Sequence, residues 1–217
     1  MEIGFRRTGA ARKIAVVARV IATMLGASAA GVPPREEGPQ DQQVEVLSES
    51  DVKAFGLPPV SSREQWVQLK EEVRTETTFD ARLGRNVTAP GTYREFAVVS
   101  DTADALSVQS VVAAAGCTVS THLSAPHRVY YSTAHKYGPR AYAWAQVSSG
   151  CAYSKNVYVQ MREIQPILQP RVGSGSITAA PGAGRKTAYA YYSGLTRCEN
   201  YVSYAFQEQS GRVRVCP

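Results

Sequence analysis

Apolar and polar residues alternate along several short segments in the second half of the chain. The clearest segment begins at Cys117, and similar alternation recurs over 140–147, 157–161, 187–191, 201–206 and 213–215. A period of two is typical of half-buried β-strands. Runs of Gly, Pro, Ser and Asn separate the segments, at 137–139, 148–150, 173–175, 181–184 and 210–211. Two further strands are predicted over 93–99 and 106–112.

Short strands with turn signals at near-regular spacing predict an all-β fold. We expect an Ig-like antiparallel β-sandwich over residues 92–217, with its core at 116–217. A small closed barrel is the alternative.

One earlier segment has helical spacing instead. Ser62 and Gln65 have the spacing of a capping box, and Trp66, Leu69 and Val73 recur at i, i+3 and i+7. The pattern predicts a short helix near 62–74. It lies within residues 31–91, where the polar, proline-rich stretch at 33–43 buries too little apolar surface to offset the entropy of ordering. We therefore expect 31–91 to be a largely disordered spacer.

The first thirty residues have the parts of a secretory signal peptide. Basic residues at 6, 7, 12 and 13 precede an apolar run over 14–25, and Ala27-Ser28-Ala29 offers a cleavage site. The run is too short for a membrane-spanning helix, which needs roughly 20 residues. Arg19 interrupts the run, and the alternative is a basic amphipathic helix that stays attached. The signal predicts a secreted, extracellular protein with no membrane span in its mature chain.

Charge divides the chain into three blocks. The formal net charge of +6 combines +4 over residues 1–30, −6 over 31–110 and +8 over 111–217. The basic last block predicts a positive surface that attracts anionic polymers. Alternatively, the acidic middle block lies against this surface as an internal counterion, a contact that salt would loosen.

All four cysteines, Cys117, Cys151, Cys198 and Cys216, lie in the predicted β-domain. An even number in an exported chain indicates disulfide bonds. Three pairings are open, and Cys117–Cys151 with Cys198–Cys216 is favoured because each pair borders successive β-units. The spacings contain no C-x₂₋₄-C pair, which argues against zinc.

Tyrosine is concentrated in the β-domain, with eleven of twelve between residues 130 and 204. Its ring suits binding surfaces. If Ala141, Ala143 and Ala145 face the core, their strand presents aromatic rings outward; if the aromatics form the core, no platform exists. The candidate binding surface comprises Tyr142, Trp144, Tyr189, Tyr191, Arg212 and Arg214.

Catalytic signals are weak. His122, His127 and His135 lack the spacing of a helical metal pair, and Glu163, Glu199 and Glu208 are the only acids after residue 110. No Gly-x-Ser-x-Gly elbow occurs. We predict no catalytic, cofactor-binding or metal site, no cofactor and no enzymatic activity.

The layout resembles small bacterial secreted proteins that carry a C-terminal, disulfide-stapled β-sandwich. The residues behind this are the Gly116-Cys117 start, the Ala-Tyr-Ala-Trp-Ala strand at 141–145 and the strand 201–206 between Cys198 and Cys216. The resemblance implies a fold and a compartment. The residues predict a non-enzymatic binding module for a glycan or anionic cell-envelope polymer, without specific nucleic-acid binding. The alternative is a secreted protein-interaction factor, toxin-like or inhibitor-like.

Overall fold

The computed structural model describes residues 44–100 and 115–217. The predicted signal peptide at 1–30 and the predicted strand at 106–112 lie outside these residues. The elements are β1 (Glu45–Val46), α1 (Glu49–Ala54), β2 (Glu64–Asp80), β3 (Arg85–Ser100), β4 (Thr118–Ser124), β5 (His127–Tyr131), a 3-10 turn (Ser132–Ala134), β6 (Lys136–Val147), β7 (Lys155–Glu163), β8 (Arg171–Ala179), β9 (Lys186–Tyr191), β10 (Glu199–Ala205), β11 (Glu208–Gln209) and β12 (Val213–Val215).

The strands form two antiparallel sheets, so the all-β, sandwich-like layout is confirmed. The first sheet has the order β1-β2-β3-β4-β6-β5, with β9 on the other side of β6. The second has the order β11-β10-β7-β8, with β12 also paired to β10. The predicted strands β4, β6, β7, β9 and β10 lie where alternation indicated them.

The main core lies between the sheets. Small residues from the first sheet meet larger ones from the second, among them Ala141, Ala143, Ala145, Ala188, Ala190, Val157, Val159, Met161 and Tyr201. Because alternate residues of a strand point to opposite faces, Tyr142 and Trp144 lie on the other side of the first sheet.

The predicted turn at 173–175 is wrong, because these residues lie within β8. Both glycines of that turn signal lie inside the strand, where β8 approaches β9 closely. A Cβ at Gly173 would lie 2.6 Å from the carbonyl oxygen of Tyr191, and one at Gly175 would lie 2.1 Å from that of Tyr189. Glycine is required here by the approach of two backbones, a common reason for glycine within a strand.

The predicted helix near 62–74 is wrong, because this segment belongs to β2. Trp66 faces the main core, whereas Val67 and Leu69 form a second cluster on the opposite face. A β-bulge between Gln68 and Lys70 shifts the register with β3 and disturbs the alternation. Val73, the third residue of the supposed helical stripe, is 79% exposed.

The weakly ordered spacer is also corrected for residues 44–91. These form β1, α1, all of β2 and the first part of β3. β2 and β3 make one long antiparallel hairpin, in which Glu64 pairs with Ser100 and Asp80 with Arg85. The expectation rested on the polar, proline-rich stretch at 33–43, which lies outside the described residues and does not represent the apolar residues, Trp66 among them, that 44–91 contributes to the core.

Both favoured disulfides are confirmed. Cys117 bonds to Cys151 and Cys198 to Cys216. The second anchors the end of β12 beside the start of β10, with which β12 pairs. Among the described residues, no helix combines the length and the apolar character that a membrane span requires.

Candidate functional site

The four predicted aromatic residues lie side by side on the first sheet. Tyr142 pairs directly with Tyr189, and Tyr191 pairs with Arg140 across β6 and β9. The rings of Tyr189 and Tyr191 stack with centroids 5.9 Å apart. The sequence therefore placed these side chains on one face correctly.

This aromatic face is not exposed, which corrects the predicted platform. Tyr142 and Trp144 are 0% and 1% exposed. They are covered by the distal part of the β2–β3 hairpin, residues 74–90, which we call the arm. Its inward side carries Glu76, Asp80 and Ala89. Tyr189 and Tyr191 at its margin are only half-buried.

Hydrogen bonds from the aromatic residues hold the arm in place. The Trp144 indole donates to the Glu76 carboxylate at 2.6 Å, and the Tyr142 hydroxyl donates to the Glu76 carbonyl at 3.2 Å. Tyr189 donates to the Phe79 carbonyl and Tyr191 to the Asp80 carboxylate, each at 2.8 Å. These rings are used internally, as supports for the arm.

Carboxylates of the acidic middle block form ion pairs with arginines of the basic last block. The Arg140 Nε lies 2.5 Å from Asp80, and both side chains are fully buried. Arg185 lies 3.3 Å from Glu76 and covers the Trp144 ring at 3.9 Å. The internal-counterion alternative is confirmed for these contacts.

His122 is buried within the aromatic face. Its ring stacks on Tyr142 and Trp144, with centroids 5.4 and 5.8 Å away. Gly91 lies at the base of the arm, where the pairing of β3 with β4 ends. A Cβ at this position would lie 2.5 Å from the His122 ring. Burial lowers the pKa of His122 to about 4, although the Glu76 carboxylate opposes that shift. His122 is therefore a neutral packing residue at neutral pH.

The other histidines lie in different environments. His127 contacts the Ala125 carbonyl at 3.1 Å and the Arg140 guanidinium at 3.0 Å, so the imidazole donates through Nδ1 and accepts through Nε2. His135 is exposed and follows the 3-10 turn in a left-handed conformation. No group of three potential metal ligands occurs among the described residues.

Arg212 and Arg214 are exposed, as predicted, but belong to the other sheet. Arg214 lies on β12 opposite Asn200, and Arg212 immediately precedes that strand. The aromatic residues lie on β6 and β9 of the first sheet. The predicted surface is therefore divided between the two sheets.

A groove of about 510 Å³ on the second sheet is the better candidate site. It lies between the end of α1, the start of β7 and the turn from β10 to β11. Its lining includes Phe55, Lys155, Asn156, Tyr158, Gln160, Tyr204, Phe206 and Gln207. The groove combines aromatic rings with amide side chains, which is typical of small-ligand sites.

Two tyrosines of the groove lie on the outer face of the second sheet. Tyr158 is 43% exposed. Tyr204 pairs with Gln160, so Tyr158 and Tyr204 are diagonal neighbours on that face. Arg171 donates to the Tyr158 hydroxyl at 2.9 Å, and Gln209 accepts from the Tyr204 hydroxyl at 3.0 Å. Both rings are held by hydrogen bonds to their hydroxyl groups; Tyr204 is half-buried, and the Arg162 guanidinium lies 5.3 Å from its ring.

The turn beside these rings has an unusual backbone. Phe206 and Gln207 have φ values of 51° and 58°. A two-residue hairpin with both central φ values positive is normally built from Asn or Gly. Residues held in such conformations are enriched at ligand sites. Here the turn places the Phe206 ring and the Gln207 amide at the groove.

Lys155 forms part of the groove wall. Its ammonium donates to the carbonyl oxygens of Phe55 and Gly56 and lies 5.2 Å from the Phe206 ring. Burial lowers the pKa of Lys155 to about 8, against the opposing charge of Glu208. The lysine ties α1 to the second sheet and supplies positive charge beside the groove.

The groove was missed in the sequence, although one signal was present. Strand 157–161 was recognised from buried Val157, Val159 and Met161, and its alternate residues Tyr158 and Gln160 therefore had to face outward. The contribution of Tyr204 and the strained turn depends on pairing between β7 and β10, which lie about 40 residues apart in the chain.

The chain matches no protein-family model, no curated protein and no solved structure. The fold defines it as an antiparallel, sandwich-like β-protein with two disulfides. Neither these comparisons nor the described residues indicate an enzyme. Function must therefore be inferred from the surface.

Proposed function

We propose that the protein is a secreted, non-enzymatic module that binds a glycan of the cell envelope through the groove on its second sheet. The observation that carries the proposal is the pair of fixed, outward-facing rings of Tyr158 and Tyr204 beside amide side chains. Two disulfides support an oxidising, extracytoplasmic compartment.

The chemistry of the groove fits a sugar. Aromatic faces pack against the C–H groups of a sugar ring, while amides donate to and accept from its hydroxyl groups. Asn156, Gln160 and Gln207 supply three amides around Tyr158 and Tyr204. A volume of about 510 Å³ lies within the usual range of ligand pockets.

We expect Tyr158→Ala and Tyr204→Ala each to weaken glycan binding roughly tenfold, or about 1.4 kcal/mol. The purified chain, with both disulfides formed, is co-sedimented with cell walls and insoluble polysaccharides at low and high salt. Stacking and hydrogen bonding to neutral hydroxyls survive high salt, so retention should persist there.

Tyr130→Ala is the matched control, because Tyr130 is 38% exposed on the first sheet and lies outside the groove. It should bind as the unchanged protein does. Retention that disappears in salt and depends on Arg212 and Arg214 would instead assign binding to the basic strand β12. Absence of retention on every polymer would overturn the proposal.

A protein partner is the second candidate, favoured by the outer side of the β2–β3 hairpin. Val73 and Phe79 are 79% and 61% exposed there. Within the described ranges, β1 pairs only with Val67 and Gln68, so the rest of that β2 edge lacks a neighbouring strand. Free strand edges are used to bind extended segments of other proteins.

Growth inhibition of neighbouring cells by the purified protein separates this candidate from the first. A protein-interaction factor should keep its inhibitory effect in Tyr158→Ala and lose it in Phe79→Ser. The glycan-binding module should show the opposite dependence in the sedimentation assay.

A further inference from the structure

A second cavity lies at the opposite end of β7 from the tyrosine groove. Its volume is about 370 Å³. It is bounded by the end of β7, the segment after β9 and the start of β10, with Glu163, Tyr192, Thr196, Arg197, Glu199 and Tyr201 in its lining. None of these residues lines the groove.

Two carboxylates face this cavity from neighbouring strands. Glu163 pairs directly with Tyr201, and Glu199 precedes Tyr201 by two residues on the same face of β10. Glu163 is 9% exposed and accepts a hydrogen bond from Gln165 at 2.8 Å. Among the described residues, Glu199 is paired only with Arg197, whose side chain is 80% exposed. That arginine approaches from solvent and is easily displaced.

The Tyr201 hydroxyl is the independent sign of a ligand. Tyr201 is fully buried, yet its hydroxyl has no hydrogen-bond partner within the part of the chain that the structure describes. Burial raises the pKa of Tyr201, and the charges of Glu163 and Glu199 raise it further, so all three groups lie in one neighbourhood. A buried hydroxyl without a partner is costly.

Three acceptors therefore converge on the cavity: two carboxylates and one phenolic oxygen. A primary ammonium carries three N–H donors and no acceptor, which matches this set. The Tyr192 ring, 6.3 Å from that of Tyr201, provides an aromatic wall for the adjoining carbon atoms. A Cβ at Gly194 would lie 2.7 Å from the Tyr192 ring, so glycine is needed for the ring to occupy this position.

We propose that this cavity binds the free amino group of a deacetylated amino sugar. The amide of Gln165 and the hydroxyl of Thr196, both in the lining, suit the remaining hydroxyls of a sugar ring better than the apolar stem of a lysine. The proposal rests on the proposed function in taking a glycan as ligand, but it uses a separate site.

The test compares a tetramer of 2-amino-2-deoxyglucose with its N-acetylated form by calorimetry and NMR titration of the full chain. The amine form should bind, and the acetylated form should bind at least tenfold more weakly at this site. Acetylation removes the charge and two of the three donors. Glu199→Gln should weaken amine binding about tenfold or more, because a charge-assisted hydrogen bond is lost.

Arg197→Ala should change amine binding in the opposite direction from Glu199→Gln. Removing the competing cation should tighten amine binding, by about two- to fivefold. A purely structural role for Glu199 and Arg197 would not produce this improvement. Tyr201→Phe removes only the hydroxyl and should weaken binding in a protein of unchanged fold.

Tyr158→Ala separates the two sites, because it should reduce sedimentation with polysaccharide and leave amine binding at this cavity unchanged. Equal binding of the acetylated tetramer, or unchanged amine binding in both Glu163→Gln and Glu199→Gln, would overturn the proposal. Tighter binding of a trilysine peptide than of the amino sugar would overturn the assignment to a glycan.

Discussion

Asp80→Ala is expected to destabilise the protein by about 3–5 kcal/mol. Asp80 is the sole ion-pair partner of fully buried Arg140 among the described residues. Removing one member of a buried pair leaves an uncompensated charge, which accounts for an effect of about this size. The substitution also removes acceptors for the Tyr191 hydroxyl and for the backbone N–H groups of Arg82 and Leu83 at the arm's tip. Urea unfolding followed by tryptophan fluorescence measures the loss.

Glu72→Ala is the matched control on the same strand. Glu72 pairs with Lys70 and Arg74 at the surface, where water and salt screen such pairs, so its loss should change the free energy of unfolding little. Tyr191→Phe removes a single hydrogen bond to Asp80 and should cost roughly 1 kcal/mol.

The double variant Asp80→Ala with Arg140→Met tests the cause. With the unpaired charge removed, it should be more stable than Asp80→Ala alone. If Asp80→Ala lowers the free energy of unfolding by less than about 1 kcal/mol, water or other groups already compensate the charge of Arg140. The arm would then depend mainly on Trp144 and the tyrosines.

The sequence was most informative where a strand has one buried and one exposed side. β7 follows alternation because the main core covers one of its sides and the other faces solvent. β6 is buried on both sides, by the second sheet and by the arm, and its alternation of small with large residues revealed the strand instead. β2 departs from it at the bulge next to Gln68, and the resulting spacing of Trp66 and Leu69 imitates a helix. β8 was missed because its two glycines serve the approach to β9, which a single segment does not reveal.

The candidate surface failed for a long-range reason. Trp144 and Tyr142 were placed correctly opposite the alanines, but their cover comes from Glu76, 68 and 66 residues earlier in the chain. The charge blocks contained the relevant signal, since an acidic segment and a basic domain can neutralise each other. Which acid meets which arginine depends on the path of the arm, and sequence pattern does not specify that path.

Acidification between pH 6.5 and 4 is expected to destabilise the protein strongly. Burial lowers the pKa of both His122 and His127 from 6.5 to about 4. Glu76 and the Ala125 carbonyl, respectively, oppose these shifts. Below pH 6.5 the unfolded chain therefore binds protons that the folded chain does not. Stability is complete above pH 6.5 and falls until pH reaches about 4.

Each histidine contributes up to about 3 kcal/mol to this loss, at about 1.4 kcal/mol for each pKa unit. Protonation of Glu76 lowers the free energy of unfolding further at lower pH. Although burial alone would raise its pKa, hydrogen bonds from Trp144 and Arg74 lower it on balance. Urea unfolding at pH 7.5, 6.0, 5.0 and 4.0 measures the slope.

Replacement of the individual histidines assigns the effect. His122→Phe keeps an aromatic ring, and neither nitrogen of His122 has a hydrogen-bond partner among the described residues. It should therefore flatten the pH profile by about half. His127→Gln should remove most of the other half, whereas His135→Gln should leave the slope unchanged because His135 is exposed. A slope that persists in the double variant of His122 and His127 would assign acid sensitivity to the carboxylates of the arm, Glu76 foremost.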